Sequence, residues 1–531
     1  MRSVLTGLRD KLNSIEIQHF SLWIAYPLLA AILASVLTPT FWFGNEINYF
    51  DLANRWVNAD AFSEYHAVRD NTFGRLVSFV MMGTSIQVFG MEGAKTFLSL
   101  LLMTTVPVAY ICLIRTLRVD LLSATLALSV FLISPQSLLG GEYLFRTIEP
   151  KTFAYICVLL GLAGAFSDRR IVASCFLAGA VYIHFLVGAF WGAAAIAFYL
   201  VKDKEVRSVL RPFAVFLALS LPLFVTILLE RMAGPSVALP GSGLTLNELY
   251  AEVRAPHHIA PFVDGSIFIA KWLPGLVGHA SFALVAWFWL TRSNEQDKSL
   301  ATWVAGLNLY ILAAMLLAFL DRETHVLSMF YMFRPSALIL LLSLIWVISR
   351  LLSPIWLNSK RRLGSICLMI IVVGYLPSTI RSVEQTMNGH LPLASMLSTS
   401  EADMVDWIEA HTSTDSIVMI EPLNDLPFKG EGMGAWAGME RLLQRPTLVN
   451  YKFVPTDKAD LLRWSELLQW RQSVFDGNCT AIDDYPVAYL ITRTAESIER
   501  LRACTELVWR GEQTAVLQVG SPESVRPMPN P

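Results

Sequence analysis

Residues 20–43 read FSLWIAYPLLAAILASVLTPTFWF, a run of 24 positions without a charged side chain. At ~1.5 Å per residue, a helix of this length is longer than the ~30 Å of bilayer hydrocarbon. Arg2, Arg9 and Lys11 precede the run, which exceeds the core of a signal peptide and has no small-residue cleavage site after it. The sequence therefore predicts a first membrane span that is retained as a signal anchor.

The composition of the whole chain supports a membrane protein. Of the 531 residues, 54% are hydrophobic and 16% are charged, whereas charged residues make up about 25% of a soluble protein. The 41 basic and 43 acidic residues nearly cancel. Because no basic field results, nucleic acid is not expected as a partner.

Hydropathy predicts an α-helical polytopic membrane protein with about eleven spans. The stretch 171–201 is too long for one crossing, so we split it at His184, which either lines a polar cavity or is satisfied by backbone. The runs centre on 20–41, 96–114, 121–139, 152–166, 171–183, 185–201, 213–230, 267–290, 300–320, 326–349 and 363–380.

The segment 76–91 is only moderately apolar, and loop charge decides its placement. With 76–91 outside the bilayer, the loops on the N-terminal side hold 17 Lys and Arg in 61 residues, against 10 in 110 residues opposite. Treating it as a span would export 14 of those 17 charges, against the positive-inside rule. We expect a surface amphipathic helix within an outer loop 44–95 and a cytoplasmic N-terminus.

Beyond a membrane domain of residues 1–380, the composition becomes polar. Residues 381–520 predict an extracytoplasmic α/β domain, and the proline-rich segment 521–531 a disordered tail. The expected helices are 401–411, 457–474 and 497–503, the expected strands 416–421 and 487–492, a Gly-rich loop 430–438, and a hairpin 506–519 around Gly511.

Two of the six cysteines, Cys479 and Cys504, lie in this polar domain. They form a disulfide if the domain faces an oxidising compartment, and two free thiols if it does not.

Polar residues gather in the predicted outer loops. Glu46 and Asp51 follow the first span and are candidate bases or metal ligands. Arg146 and Lys151 offer cations for a phosphate group, although Arg146 pairing with Glu149 at a helix end explains the pattern equally well.

Further candidates lie in the later outer loops. Arg254 is a third candidate cation. Arg334 is expected about two and a half turns into the following helix, where lipid disfavours a charge unless it faces a polar cavity or an anion. Besides Arg322, which adds a cation, the candidates for metal binding or acid–base chemistry are His257, His258, Asp321, Glu323 and His325.

Sequence motifs narrow the chemistry. The chain carries no P-loop, dinucleotide-binding glycine motif or HExxH zinc motif. Asn45-Glu46-Ile47-Asn48-Tyr49, followed by segments 71–75 and 88–94 with their Phe-Gly turns, resembles the GT-C superfamily of polytopic glycosyltransferases, in particular lipid-linked aminoarabinose and protein O-mannosyl transferases. The motif resemblance covers roughly the first 120 residues.

The resemblance implies transfer of a sugar from a polyprenyl-phosphate donor to an acceptor glycan, lipid or protein at the outer membrane face. A bacterial inner membrane fits best. Glu46 matches the second acid of the family's pair, whereas Asn45 replaces the first, which is the one usually assigned as the base. Asp51 is the candidate substitute. The oligosaccharyltransferase motif WWDYG is absent.

Several functional questions stay open on sequence alone. The cofactor is undetermined, with a divalent metal ion as one candidate. A transporter or flippase of lipid-linked glycans and a catalytically silent scaffold are the competing functions.

Overall fold

A helical body is followed by a small α/β unit. The computed structural model describes residues 26–34, 44–58, 73–233, 245–290, 295–358, 380, 398–422, 443, 445–449, 455 and 458–520. Of the first predicted span only 26–34 is described, as helix, and the predicted span 363–380, the Gly-rich loop 430–438 and the tail 521–531 lie outside the described residues except for Ile380.

In the helical body, a described helix at 26–34 precedes α1 (Gly44–Val57), which packs closely against α2 (Leu76–Thr116). Five of its described helical segments are long and apolar enough to cross a membrane, and four shorter helices are also apolar. Its helices are α1 (Gly44–Val57), α2 (Leu76–Thr116), α3 (Leu121–Ile133), α4 (Pro150–Phe166), α5 (Arg170–Ile183), α6 (Phe185–Asp203), α7 (Arg207–Ala233), α8 (Leu273–Leu290), α9 (Glu295–Leu320) and α10 (Ser336–Asn358).

Two features of the sequence prediction concern breaks between helices. The stretch 171–201 does divide at His184, which ends α5 and precedes α6. Helix α2 continues through 76–91 into the next predicted span, but it bends at Gly90, whose φ of 70° and ψ of 175° are not helical. Glycine suits this backbone because it has no Cβ. A surface position for 76–91 stays a prediction.

One predicted helix starts later than expected. Arg334 lies in a turn before α10, not two and a half turns inside a helix. Proline at position 335 disfavours the helical conformation of the residue before it, and it suits the start of a helix. The carboxylate of Asp321 also accepts hydrogen bonds from the backbone N–H groups of Val326 and Ser328, at 2.9 and 2.8 Å, which stabilises the non-helical turn.

The C-terminal unit contains a four-stranded sheet in its described part. Its strands β1 (Val418–Ile420), β2 (Tyr489–Thr492), β3 (Thr505–Arg510) and β4 (Ala515–Val519) lie in the order β1-β2-β4-β3. Strands β1 and β2 are parallel, and the other neighbours are antiparallel. The predicted helices, strands and hairpin all occur, with bounds shifted by a few residues. They are α11 (Thr399–His411), β1 (Val418–Ile420), α12 (Lys458–Phe475), β2 (Tyr489–Thr492), α13 (Ala495–Leu501), β3 (Thr505–Arg510) and β4 (Ala515–Val519).

The C-terminal unit packs onto the segment of the helical body that precedes α8. Leu249, Tyr250 and Ile259 are buried in the same apolar cluster as Trp464 and Leu517. The domain therefore covers the segment 245–260.

A disulfide joins two parts of this unit. Cys479 and Cys504 are bonded, with their Cα atoms 5.5 Å apart. The bond connects the segment after α12 to the start of β3.

Candidate functional site

Four charged side chains meet where the loop 134–149 approaches the turn before α10. Lys151 Nζ lies 2.8 Å from Glu142 Oε2 and 3.3 Å from Glu149 Oε2, and Arg334 Nε lies 3.3 Å from Glu142 Oε1. Both carboxylates are buried, whereas Arg334 keeps 15% of its side chain exposed. We call these four residues the ionic cluster. Its two positive and two negative charges balance.

The loop 134–149 is stabilised by hydrogen bonds between the Gln136 side chain and the backbone of the same loop. Gln136 Oε1 accepts hydrogen bonds from the backbone N–H groups of Leu144 and Phe145, each at 3.0 Å. Gly140 has a φ of 72°, and a Cβ there would lie 3.0 Å from Phe333 Cβ. Only glycine fits this conformation and this close approach. The loop thereby reaches the segment that carries Arg334.

Glu149 is linked to the start of α1 through a tyrosine. Asn45 Nδ2 donates to the Tyr143 hydroxyl oxygen at 2.8 Å, and the Tyr143 hydroxyl donates a very short hydrogen bond to Glu149. Thr147 also donates to Glu149 at 2.9 Å. Lys151 Nζ lies 4.0 Å from the centre of the Tyr143 ring, a cation–π contact. The carboxylate of Glu149 is thus linked through Tyr143 to Asn45, the position at which the resemblance places the base.

Arg334 is oriented by an imidazole and an aromatic ring. Its Nη1 group donates to His184 Nε2 at 2.8 Å, and its Cζ lies 4.2 Å from the centre of the Tyr331 ring. Tyr331 has a φ of 52°, which is uncommon for a residue other than glycine and is often found at functional sites. The Tyr331 hydroxyl lies 2.8 Å from that of Tyr250, so Arg334 rests on residues that pack against the C-terminal unit.

Burial and charge set the protonation of this loop. Burial opposes ionisation of Glu142, but the charges of Lys151 and Arg334 outweigh it and lower its pKa below the usual range. Lys151 likewise outweighs burial and lowers the pKa of Glu149. Burial lowers the pKa of His258 to about 3 although Glu142 is nearby. At neutral pH both carboxylates are therefore ionised and His258 is neutral.

Glu46 is engaged elsewhere. Its Oε2 accepts from Lys95 Nζ at 2.9 Å, and its Oε1 accepts from the backbone N–H of Ile148 at 2.7 Å. Both side chains of the pair are buried. This arrangement joins α1, α2 and the loop, so these contacts give Glu46 a structural role, while its predicted catalytic role stays a prediction.

The remaining predicted residues of the first two outer loops are dispersed. Asp51 is buried in α1. Arg146 is exposed at the surface, and Glu149 contacts Lys151. The side chain of Arg254 lies outside the described part of the chain.

Of the candidates in the later predicted outer loops, within the part of the chain that the structure describes, Arg334 belongs to the ionic cluster and His258 lies beside Glu142. His258 Nδ1 donates to the Gly140 carbonyl and lies 3.7 Å from Glu142 Oε1. His257 packs against the His258 ring, with centroids 4.0 Å apart. Asp321 caps its own turn, Arg322 and Glu323 form an exposed pair at 3.1 Å, and His325 Nε2 lies 2.9 Å from Glu252 Oε1.

A metal centre is not formed by the described side chains. Within the part of the chain that the structure describes, no three His, Cys, Asp or Glu residues are grouped to hold an ion.

Sequence reasoning missed several members of the site. Glu142, Tyr143 and Glu149 were visible in the loop, but their partners depend on how the loop folds back on α4. Lys95 had a detectable signal, since a lysine inside a long apolar helix requires a partner.

Comparisons with solved structures give remote likenesses along most of the chain. ArnT from Cupriavidus metallidurans bound to undecaprenyl phosphate is 13% identical, with a TM-score of 0.49, and the alignment covers 94% of this chain and 98% of ArnT. The apo state of that protein is 14% identical, with a TM-score of 0.41, and the alignment covers 95% of this chain and 98% of that one. An Archaeoglobus fulgidus oligosaccharyltransferase tethered to an acceptor peptide is 10% identical, with a TM-score of 0.44. That alignment covers 89% of this chain and 69% of the oligosaccharyltransferase.

No family model and no curated protein matches the chain. Identities of 10–14% and TM-scores of 0.41–0.49 assign no role to an individual residue of this chain.

Proposed function

We propose that the protein is a membrane glycosyltransferase that moves a sugar from a polyprenyl-phosphate donor to an acceptor on the outer face of the membrane. The observation that carries this proposal is the ionic cluster. It brings two cations and two ionised carboxylates together where the loop 134–149, the start of α4 and the turn before α10 meet. Charged groups so close to the bilayer are costly, and they are typical of a site that receives a polar or charged ligand.

The two cations suit the phosphate of the donor. A guanidinium binds phosphate oxygens in a bidentate manner, and an ammonium adds a point charge. We assign these roles to Arg334 and Lys151. When the donor binds, its phosphate takes over part of the pairing that Glu142 and Glu149 provide in the free protein.

Glu149 is the best-placed base. The acceptor oxygen attacks the anomeric carbon, the bond from that carbon to the phosphate oxygen breaks, and the electron pair leaves with the polyprenyl phosphate. Glu149 takes the hydroxyl proton, and Arg334 and Lys151 stabilise the leaving phosphate. A single displacement of this kind inverts the configuration at the anomeric carbon. Asn45 then orients Tyr143 and is not itself the base.

The proposed orientation is a cytoplasmic N-terminus with the site and the C-terminal unit outside. It is supported by the loop charges of the sequence and by the disulfide between Cys479 and Cys504, since disulfides persist in oxidising compartments. A bacterial inner membrane meets these conditions. The acceptor is a glycan, lipid or protein within reach of the C-terminal unit.

The test is release of free polyprenyl phosphate when purified protein is incubated with an extract of bacterial polar lipids and envelope glycans. Wild type is expected to release it. Glu149→Gln should slow release by about 100-fold or more, and Arg334→Ala should weaken donor binding. Glu323→Gln, in an exposed ion pair, is the matched control and should behave as wild type.

Two outcomes contradict the proposal. Equal release by wild type and Glu149→Gln removes Glu149 as the base. Movement of intact lipid-linked sugar across vesicle membranes, without release of polyprenyl phosphate, identifies a flippase.

A further inference from the structure

His184 is a buried imidazole whose tautomer the structure fixes. It lies between α5 and α6 and is 4% exposed. Its Nε2 is 2.8 Å from Arg334 Nη1. Because a guanidinium has donors and no acceptor, Nε2 must accept. The ring proton of the neutral imidazole is therefore on Nδ1.

This Nδ1–H group is a donor without an acceptor. Nδ1 is buried and has no hydrogen-bond partner within the portion of the chain that the structure describes. Such donors are rare in native proteins, because burying an N–H without an acceptor costs free energy. Burial first, and then the charge of Arg334, hold the pKa of His184 well below its ordinary value. The ring consequently stays neutral and keeps its N–H.

We propose that the Nδ1–H of His184 binds an oxygen of the lipid phosphate beside Arg334. This inference rests on the proposed function, since it names a further residue for the same donor. A phosphate oxygen is favoured over a sugar hydroxyl because the ring already contacts the guanidinium that we assign to the phosphate. The ligand would supply the acceptor that the described residues do not provide. His184 would then recognise the phosphate by hydrogen bonding and Arg334 by charge.

Two substitutions separate the two nitrogens of the ring. In His184→Gln the amide oxygen occupies the place of Nε2 and still accepts from Arg334, but the donor at Nδ1 is lost. In His184→Asn the shorter amide keeps a donor near Nδ1 and loses the contact with Arg334. Thermal midpoints of both variants in detergent, compared with wild type, report whether the fold is retained.

The experiment measures the dissociation constant of farnesyl phosphate, a short isoprenyl phosphate, with farnesol as the phosphate-free control. His184→Gln should weaken farnesyl phosphate binding by about tenfold or more and leave farnesol binding unchanged. His184→Asn should retain more of the affinity than His184→Gln. Arg334→Ala is the reference for loss of the cation.

Each result has a distinct meaning. If His184→Gln binds farnesyl phosphate as tightly as wild type, the Nδ1–H serves water or packing and the inference is overturned. If both compounds lose affinity equally, His184 is a packing residue, and the inference is again overturned. If wild type does not prefer farnesyl phosphate over farnesol, the proposed donor class fails, and this inference fails with it.

Discussion

At the scale of single residues, the site depends on which carboxylate is paired with which cation. Glu46 and Lys95 form a buried pair between two helices, and Glu142 and Glu149, which are also buried, share Lys151. Breaking a buried pair is strongly destabilising when the remaining charge has lost its partner. Replacing Glu46 removes its carboxylate from Lys95, whereas Lys151 keeps Glu142 when Glu149 is replaced, so the two substitutions should differ in their effect on stability.

The first prediction concerns the buried pair. Glu46→Gln should lower the free energy of unfolding by about 3 kcal/mol, because Lys95 keeps its charge without the carboxylate of Glu46. The double variant Glu46→Gln, Lys95→Met should recover part of this loss. Thermal or denaturant unfolding in detergent measures both. A Glu46→Gln protein of wild-type stability that has lost turnover would instead support Glu46 as the base.

A second prediction concerns pH. His258 has a pKa of about 3 in the folded protein and about 6.5 when unfolded. The unfolded chain therefore binds more protons between these values, and stability falls as pH decreases from about 6.5. Burial lowers the pKa of His184 as well, so it adds to the same loss. Glu142 and Glu149, whose pKa values are lowered, contribute only below about 4.5.

His258→Asn should reduce this slope by up to about 1.4 kcal/mol per pH unit. The measurement is the unfolding free energy at several pH values between about 7 and about 4.5, where the unfolded chain gains the proton on this histidine. His411→Asn is the control, because His411 is exposed on α11. An unchanged slope in His258→Asn would contradict the account.

At the scale of elements, the sequence predicted helices and strands better than it predicted their ends. Apolar length and turn residues gave most of the helices of the body and all those of the C-terminal unit. One element differed for a local reason, since Pro335 delays the start of α10 and leaves Arg334 in a turn. The helix expected at 76–91 and the one expected at 96–114 both occur within α2, separated by a kink at Gly90.

The partners within the site were not predictable from sequence spacing. Glu149 and Arg334 are brought near Lys151 and Glu142 by a loop whose course depends on the conformation of Gly140. Long-range contacts of this kind leave no periodic pattern. The predicted cations Arg334 and Lys151 do meet, since both contact Glu142, while Arg146 and Arg322 lie at exposed positions.

A third prediction tests the loop. Gly140→Ala places a Cβ at 3.0 Å from Phe333 Cβ and in a left-handed backbone conformation, so it should cost about 1–3 kcal/mol of stability and weaken binding of farnesyl phosphate. Gly179→Ala is the matched control. A Cβ at Gly179 meets nothing within 4 Å, and alanine favours a helix more than glycine does. Equal behaviour of the two variants would contradict the proposed role of the loop.

At the scale of the whole molecule, the C-terminal unit covers the segment 245–260 of the helical body. Tyr250 belongs to that segment, and its hydroxyl meets the hydroxyl of Tyr331 beneath Arg334. The C-terminal unit and the ionic cluster are therefore connected through two tyrosines. This connection makes the fold of the unit relevant to the site.

The disulfide provides the fourth prediction. Cys479 and Cys504 are separated by 25 residues, and closing a loop of that length stabilises a fold by about 3 kcal/mol. Replacing both by alanine should lower the unfolding temperature of the C-terminal unit. Cys175→Ala is the control, because Cys175 is an exposed free cysteine. If Cys479 and Cys504 are labelled by maleimide before reduction, the disulfide is absent and the proposed oxidising location loses support.

The most direct measurement is mass spectrometry of the lipids that copurify with wild type, Arg334→Ala and Glu149→Gln in mild detergent. We expect a polyprenyl-phosphate sugar on wild type, less of it on Arg334→Ala, and more on Glu149→Gln, which binds the donor without consuming it. Its mass would also identify the sugar. Detection of the same bulk phospholipids on all three proteins, with no polyprenyl phosphate, would contradict the assignment of the ionic cluster to a lipid-linked donor.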